Sequence, residues 1–225
     1  MEKETHPPSA PSTSVLPLPI WSPEDLYQTP EDRTPWLVHN LIPAVGTSII
    51  GAPAKAGKSV MTRQLCAFVS QGRPFLGREV RQGQSLYVST QETRGKIAQH
   101  FRELGGDKET TPFVSASGRI EPRGALDRVS ATLGQYPEIK LVVLDMIADL
   151  LPLHDTNDYG EMNKTFGQLR NLAEKHQIHV CVTHHSKKSE TENAAHAFIG
   201  SSAIAGSVDQ LLRLHVKEPL KIAEL

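Results

Sequence analysis

Apolar residues follow two alternating rhythms along this chain. Short unbroken runs, such as Leu86-Tyr87-Val88, Leu141-Val142-Val143-Leu144 and Val180-Cys181-Val182, alternate with longer stretches where apolar side chains recur every three or four positions. Unbroken runs bounded by polar residues read as strands buried on both faces, and the spaced pattern reads as helices with one buried stripe. The pattern predicts a first strand over Val45–Gly51 and a helix from there to about Gly72. Next come a strand at Ser85–Ser89, a helix at Lys96–Leu104 stopped by Gly105-Gly106, and a short strand at Phe113–Ser115. A helix over Ala125–Leu133 carries Leu126, Val129 and Leu133 on one stripe, and Lys140–Asp145 is the clearest buried strand. Met162–His176 reads as a helix with Phe166, Leu169 and Leu172 inward, His179–Thr183 as a strand, and Leu211–Val216 as the last strand. Strands alternating with helices predict an α/β fold, a mostly parallel sheet with helices on both faces in three layers. No long-period repeat interrupts the alternation.

The first 34 residues break this rhythm. Pro7, Pro8, Pro11, Pro17 and Pro19 among Ser and Thr predict an extended, poorly ordered arm over 1–34, with one domain over 35–225. Within the arm, Ser22-Pro23-Glu24-Asp25 and Thr29-Pro30-Glu31-Asp32 repeat one helix-start signal, a capping hydroxyl followed by proline and acids. Two readings stand for it, a flexible leader or an arm whose Trp21 and Leu26 dock on a neighbouring subunit.

Composition narrows the function classes. A formal net charge of −1 over 225 residues gives no overall basic footprint for nucleic acid, though a local patch stays open. Cys66 and Cys181 fall in a helix and a buried strand and read as small core residues, with no disulfide framework. No apolar run reaches membrane-spanning length and the start of the chain lacks a signal-peptide core, so the sequence predicts a soluble, cytoplasmic protein with no membrane partner.

The chemistry concentrates where the first strand meets its helix. Gly51-Ala52-Pro53-Ala54-Lys55-Ala56-Gly57-Lys58-Ser59-Val60 joins them. Small residues let a backbone curl until several N–H groups converge on one point, and the helix N-terminus adds partial positive charge. Residues 52–60 thus read as a phosphate-binding loop for a nucleoside triphosphate, with Lys58 on the outer phosphates and the Ser59 hydroxyl on Mg²⁺. Asp145 ends its buried strand on the same rim and reads as the second Mg²⁺ group, against the alternative of a loop-capping acid. Met146 follows it where some ATPases carry a catalytic glutamate, so another acid is needed to orient the attacking water. Glu92, just past the Ser85–Ser89 strand, is the candidate; the other reading is an acid favoured by the next helix's dipole. His184-His185 closes a neighbouring strand, and alternation aims the two at opposite faces. One of them meets the γ-phosphate, or else both bond to backbone. His176 and His179 read as surface or helix-end residues. Residues 186–199 form a polar loop in which Lys187, Lys188 and Phe198 suit single-stranded nucleic acid and Glu190 and Glu192 offset them; a merely solvated loop is the other reading.

These motifs in their order resemble the RecA-fold P-loop ATPases of the RepA-like type, related to plasmid and phage hexameric replicative helicases. The resemblance covers about residues 35–216. Trp36-Leu37-Val38 and Ile42-Pro43 lead into the first strand, Ala52–Ser59 looks like the Walker A loop, and Leu141–Asp145 looks like Walker B. Glu92 falls where the family carries its catalytic glutamate. Asn157–Leu172, Thr183-His184-His185-Ser186-Lys187 and Gly200-Ser201-Ser202-Ala203 match further segments. The resemblance implies ATP and Mg²⁺ as ligands and catalysis by Lys58, Glu92, Asp145 and His185. It further implies single-stranded DNA as a partner through the 186–199 loop, in a homo-oligomeric ring with sites between subunits. Three departures stand out: Ala52 where the loop spacing wants glycine, Ile199 where relatives often have arginine, and a chain that ends soon after the last strand. Arg213 and Lys217 are candidates for a trans-acting finger or ordinary strand charges. The departures leave room for a second reading, a nucleotide-binding regulator that hydrolyses little.

Overall fold

The computed structural model describes residues 20–28, 35–116, 124–151, 159–185, 206–217 and 220–224. The chain falls into two compact units, residues 1–33 and 34–225. In the first, α1 spans Pro23–Gln28 and all its residues are exposed. Ser22 and Asp25 cap it reciprocally: Asp25 N–H donates to Ser22 Oγ at 3.1 Å, and Ser22 N–H donates to Asp25 Oδ2 at 3.2 Å. Its repeat at Thr29 lies outside the described residues.

The second unit opens with a small antiparallel pair, β1 (Trp36–Val38) and β2 (Ile42–Pro43). The main sheet has seven strands in the order β5-β4-β6-β7-β3-β8-β9. They are β3 (Gly46–Ala52), β4 (Gln84–Ser89), β5 (Phe113–Ala116), β6 (Ile139–Asp145), β7 (His179–His185), β8 (Gln210–Lys217) and β9 (Leu220–Glu224). All pairings are parallel except β8 with β9. The helices are α2 (Lys58–Gln71), α3 (Arg94–Glu103), α4 (Ala125–Gln135), α5 (Ile147–Leu150) and α6 (Tyr159–His176).

Period-two alternation sorts the strand side chains into two cores, one on each face. On one face Ile50, Tyr87, Leu141, Val143, Cys181 and Leu212 pack with Leu65, Cys66 and Val69 of α2 and Ile97 and Phe101 of α3. On the other, Ile49, Val88, Val142, Leu144 and Val182 pack with Val129 of α4, Ile147 of α5 and Phe166 and Leu169 of α6. This is the expected three-layer α/β architecture. The two cysteines are buried core residues, as their segments suggested.

Three expectations need correcting. The strand ending near residue 217 is not the last: β9 returns antiparallel, from a segment too short and too charged to show an apolar run. The four-residue α5 was not foreseen, because one helical turn carries no periodicity. His179 is not a surface residue. It is fully buried at the start of β7, where it lies within 2.8 Å of Ser48 Oγ, and burial depresses its pKa to about 4. Among the described residues, no helix is long and apolar enough to cross a membrane.

Candidate functional site

The C-terminal ends of β3, β4, β6 and β7 share one rim, because these strands are parallel and in close register: Gly51 lies opposite His184, Ala52 opposite His185 and Ser89 opposite Asp145. The loop at 53–57 leaves β3 on this rim and feeds α2. Two residues there have positive φ, Lys55 (62°) and Gly57 (102°). At 102°, Gly57 lies where a side chain is strained, so glycine is required just before the helix. Ala52 ends β3 fully buried and without positive φ, which is why alanine is tolerated there.

Lys58, only 6% exposed, bends back over the loop. Its Nζ donates to the carbonyls of Ala52 (2.9 Å) and Pro53 (3.1 Å) and lies 3.1 Å from His185 Nδ1. An ammonium can only donate, so His185 accepts through an unprotonated Nδ1 and carries its proton on Nε2. All three Lys58 protons are engaged. Burial lowers the Lys58 pKa while Asp145 counteracts it, and burial followed by the Lys58 charge lowers that of His185.

Asp145 is 8% exposed and anchored through both oxygens. Thr183 Oγ1 donates to Oδ1 at 2.6 Å and the Tyr87 hydroxyl donates to Oδ2. Burial, then the Asp145 charge, pushes the Tyr87 phenol far up, which keeps it a donor. Ser59, half-buried in the first turn of α2, makes no hydrogen bond through its hydroxyl among the described residues. A serine hydroxyl and a fixed carboxylate are hard oxygen donors suited to Mg²⁺, which takes one or two protein ligands and completes its shell with phosphate and water. Among the described residues no cluster of three His, Cys, Asp or Glu offers a metal cage.

Glu92 lies between β4 and α3, ahead of the helix's first turn. It is doubly paired, with Arg63 of α2 and with Lys96 of α3 at 2.9 Å. Burial works against its ionisation, but the hydrogen bond from Lys96 and the Arg63 charge outweigh it and hold the carboxyl below the usual range. Arg63 is itself buried, with its guanidinium 6.0 Å from the Tyr87 ring centre.

The two histidines separate as strand alternation requires. His185 reaches the loop; His184 is 5% exposed, its Nε2 has no partner among the described residues, and burial depresses its pKa to about 4. Lys58, Ser59, Asp145 and His185 are thus brought together around the loop of residues 52–60, while Glu92 is tied to Arg63 and Lys96. Arg213, opposite Gly51 on β8, is buried, which does not suit a finger reaching another subunit. The side chain of Lys217, Asn157, the 186–199 loop and the Gly200–Ala203 turn lie outside the described residues.

Sequence reasoning missed Tyr87, Thr183, Arg63 and Asp149. Tyr87 and Thr183 read as ordinary strand residues, and the only available signal was period two: each lies two positions before a rim residue on its own strand. Arg63 reads as a polar helix position. Asp149 sits on the unforeseen α5, where its Oδ2 accepts from Thr90 Oγ1 (2.8 Å) and Gln91 Nε2 (2.9 Å).

A glycine-containing loop between strand and helix, a lysine folded over it and a strand-end aspartate beside it, on a mostly parallel sheet covered on both faces, define a RecA-like P-loop α/β domain. The chain belongs to the AAA domain family, which it matches over residues 10–191. No curated protein matches the sequence. The solved structures it resembles include the RadB recombinase, with 18% identity, a TM-score of 0.54 and 80% of each chain covered. At that identity the likeness carries the fold.

Proposed function

We propose that this protein binds and hydrolyses ATP with Mg²⁺. The observation that carries the reading is Lys58 poised over the loop with His185 and Asp145 at the neighbouring strand ends. The amides of residues 52–60 and Lys58 would hold the phosphates, and Ser59 and Asp145 would hold the metal, which would supply neutralisation of charge developing on the transferred phosphate. A γ-phosphate takes over the Lys58 proton now given to His185, so His185 reports whether that phosphate is there. Glu92 serves the attacking water once it leaves Arg63. ATP turnover tests this. Lys58→Ala is expected to lower kcat at least about 100-fold, and Glu92→Gln by a similar factor. Equal rates in all three proteins would overturn the reading.

The finer assignment rests on the RepA-like resemblance: a cytoplasmic, ring-forming, helicase-related ATPase acting on single-stranded DNA through the 186–199 loop, with residues 1–34 as an arm outside the domain. Stimulation of turnover by single-stranded DNA, and assembly with ATP and Mg²⁺ in light scattering, are its expected outcomes. One observation favours a second reading, a nucleotide-binding regulator. Glu92 is already committed to two cations, and an acid so held orients no water. Tight ATP binding with negligible turnover selects it.

A further inference from the structure

Asp149 is a carboxylate that the reading above leaves unused, and the rim is built to hold it. It projects from α5, the single turn that follows the strand ending in Asp145. Its Oδ2 receives two hydrogen bonds from the tip of β4: Thr90 Oγ1 at 2.8 Å and Gln91 Nε2 at 2.9 Å. Thr90 is in turn fixed to the metal-site strand, its N–H donating to the Asp145 carbonyl at 3.2 Å. The Asp149 N–H is anchored on the Met146 carbonyl at 3.2 Å. Two side-chain donors therefore fix the carboxylate plane from one side. Among the described residues, Oδ1 accepts no hydrogen bond. Among the described residues no cation pairs with Asp149, in contrast to Glu92. Asp149 also acts on His185 more strongly than Asp145 does, so its charge is felt at the residue that touches Lys58.

A carboxylate held by two neutral donors through one oxygen, with the other oxygen unpartnered among the described residues and the histidine that touches Lys58 within its field, has what is needed to orient a nucleophile. We propose that Asp149 is a further catalytic residue of the ATPase, holding the attacking water through Oδ1 while Thr90 and Gln91 fix Oδ2. In the step it serves, the water oxygen bonds to the γ-phosphorus. The bond from phosphorus to the bridging oxygen breaks with its electron pair remaining on ADP, and the water proton passes to Glu92, the acceptor in the reading above, and on to solvent, while Asp149 Oδ1 accepts the water's other O–H as a hydrogen bond that fixes its orientation. The inference rests on the ATPase reading and adds a residue to it.

Three measurements on the full chain test it: ATP turnover, ATP affinity by calorimetry and the thermal midpoint. Asp149→Asn keeps the shape and an oxygen for Thr90 but removes the charge. Its kcat is expected to fall at least about 20-fold, within the range for loss of one hydrogen bond to a charged group. ATP affinity should stay within a factor of two and the midpoint within a degree or two. Thr90→Ala, which frees the carboxylate on one side, is expected to lower kcat several-fold with the same unchanged affinity. A merely structural tether gives the opposite pattern, a lowered midpoint with kcat retained in the folded fraction, and that result, or wild-type kcat in Asp149→Asn, overturns the proposal. If Asp149→Asn fails to fold, Thr90→Ala decides alone by the same criteria. Failure of the underlying reading looks different: the wild-type protein itself would show no turnover.

Discussion

His185 shows how much one side chain's protonation state can carry. It accepts from Lys58 only while Nδ1 is unprotonated, and burial and the Lys58 charge both favour that state. The strand places it opposite Ala52, the residue whose carbonyl takes another Lys58 proton. A γ-phosphate competes for the same ammonium, so His185 should affect how the site tells ATP from ADP. His185→Ala removes the competitor that the γ-phosphate must displace, so it is expected to raise the ratio of ATP to ADP affinity by about 10-fold, the lower end of the worth of one hydrogen bond to a charged group. Calorimetry with both nucleotides measures it, and an unchanged ratio refutes the role. At this scale the sequence was legible wherever chemistry follows type and spacing: Lys58, Ser59, Asp145 and the split of His184 from His185. It was silent where a residue's role depends on what faces it. Tyr87 reads as a core aromatic until its hydroxyl is seen on Asp145. Glu92 reads as a free rim acid until Arg63, distant in sequence, is seen against it.

The element that presents the loop is α2, and glycine bounds it at both ends. Gly57 precedes it at φ 102° and Gly72 ends it at φ 67°. At the C-terminus the Arg73 N–H donates to the Phe68 carbonyl at 2.9 Å, closing the last turn. A Cβ on Gly72 would also come within 3.2 Å of Gln82 Cβ. Gly72→Ala is expected to cost about 1 to 2 kcal/mol from the left-handed conformation. For a chain of this length that lowers Tm by roughly 3 to 6 °C, read by calorimetry; an unchanged Tm would show that the turn relaxes freely. Long elements such as α2 and α6 were legible because they repeat their pattern over several turns. α5 and β9 were not, since one turn of helix and a charged edge strand repeat nothing, and α5 is the element that carries Asp149.

Across the whole molecule, the sheet carries ionisable groups at both ends of one central strand. His179 is buried at the start of β7 and His184 near its end, each with a pKa pushed down to about 4 from an ordinary 6.5. As the pH falls below 6.5 the unfolded chain takes up these protons first, so stability is complete above that pH and is lost progressively towards 4. At pH 5 each histidine is expected to cost about 2 kcal/mol. Urea unfolding at pH 7.5 and pH 5 measures the loss, and His179→Gln should remove about half of it. A flat profile between the two pH values contradicts the burial argument. The three-layer architecture was legible from the strand and helix rhythm because parallel strands buried on both faces must be apolar throughout. The buried histidine at the base of β7 was not, because its partner Ser48 lies on another strand.

The resting loop has a consequence for what enters it. With every Lys58 proton already placed on the protein, the site is no open trap for passing anions; a newcomer has to win an exchange. Orthophosphate offers one group against three existing bonds. On the proposed reading, a triphosphate brings a chain of charges that would also engage the loop amides, the helix end and, with a metal, Ser59 and Asp145. On that reading the self-contained lysine would work as a length filter, turning away short anions that a bare positive charge would hold.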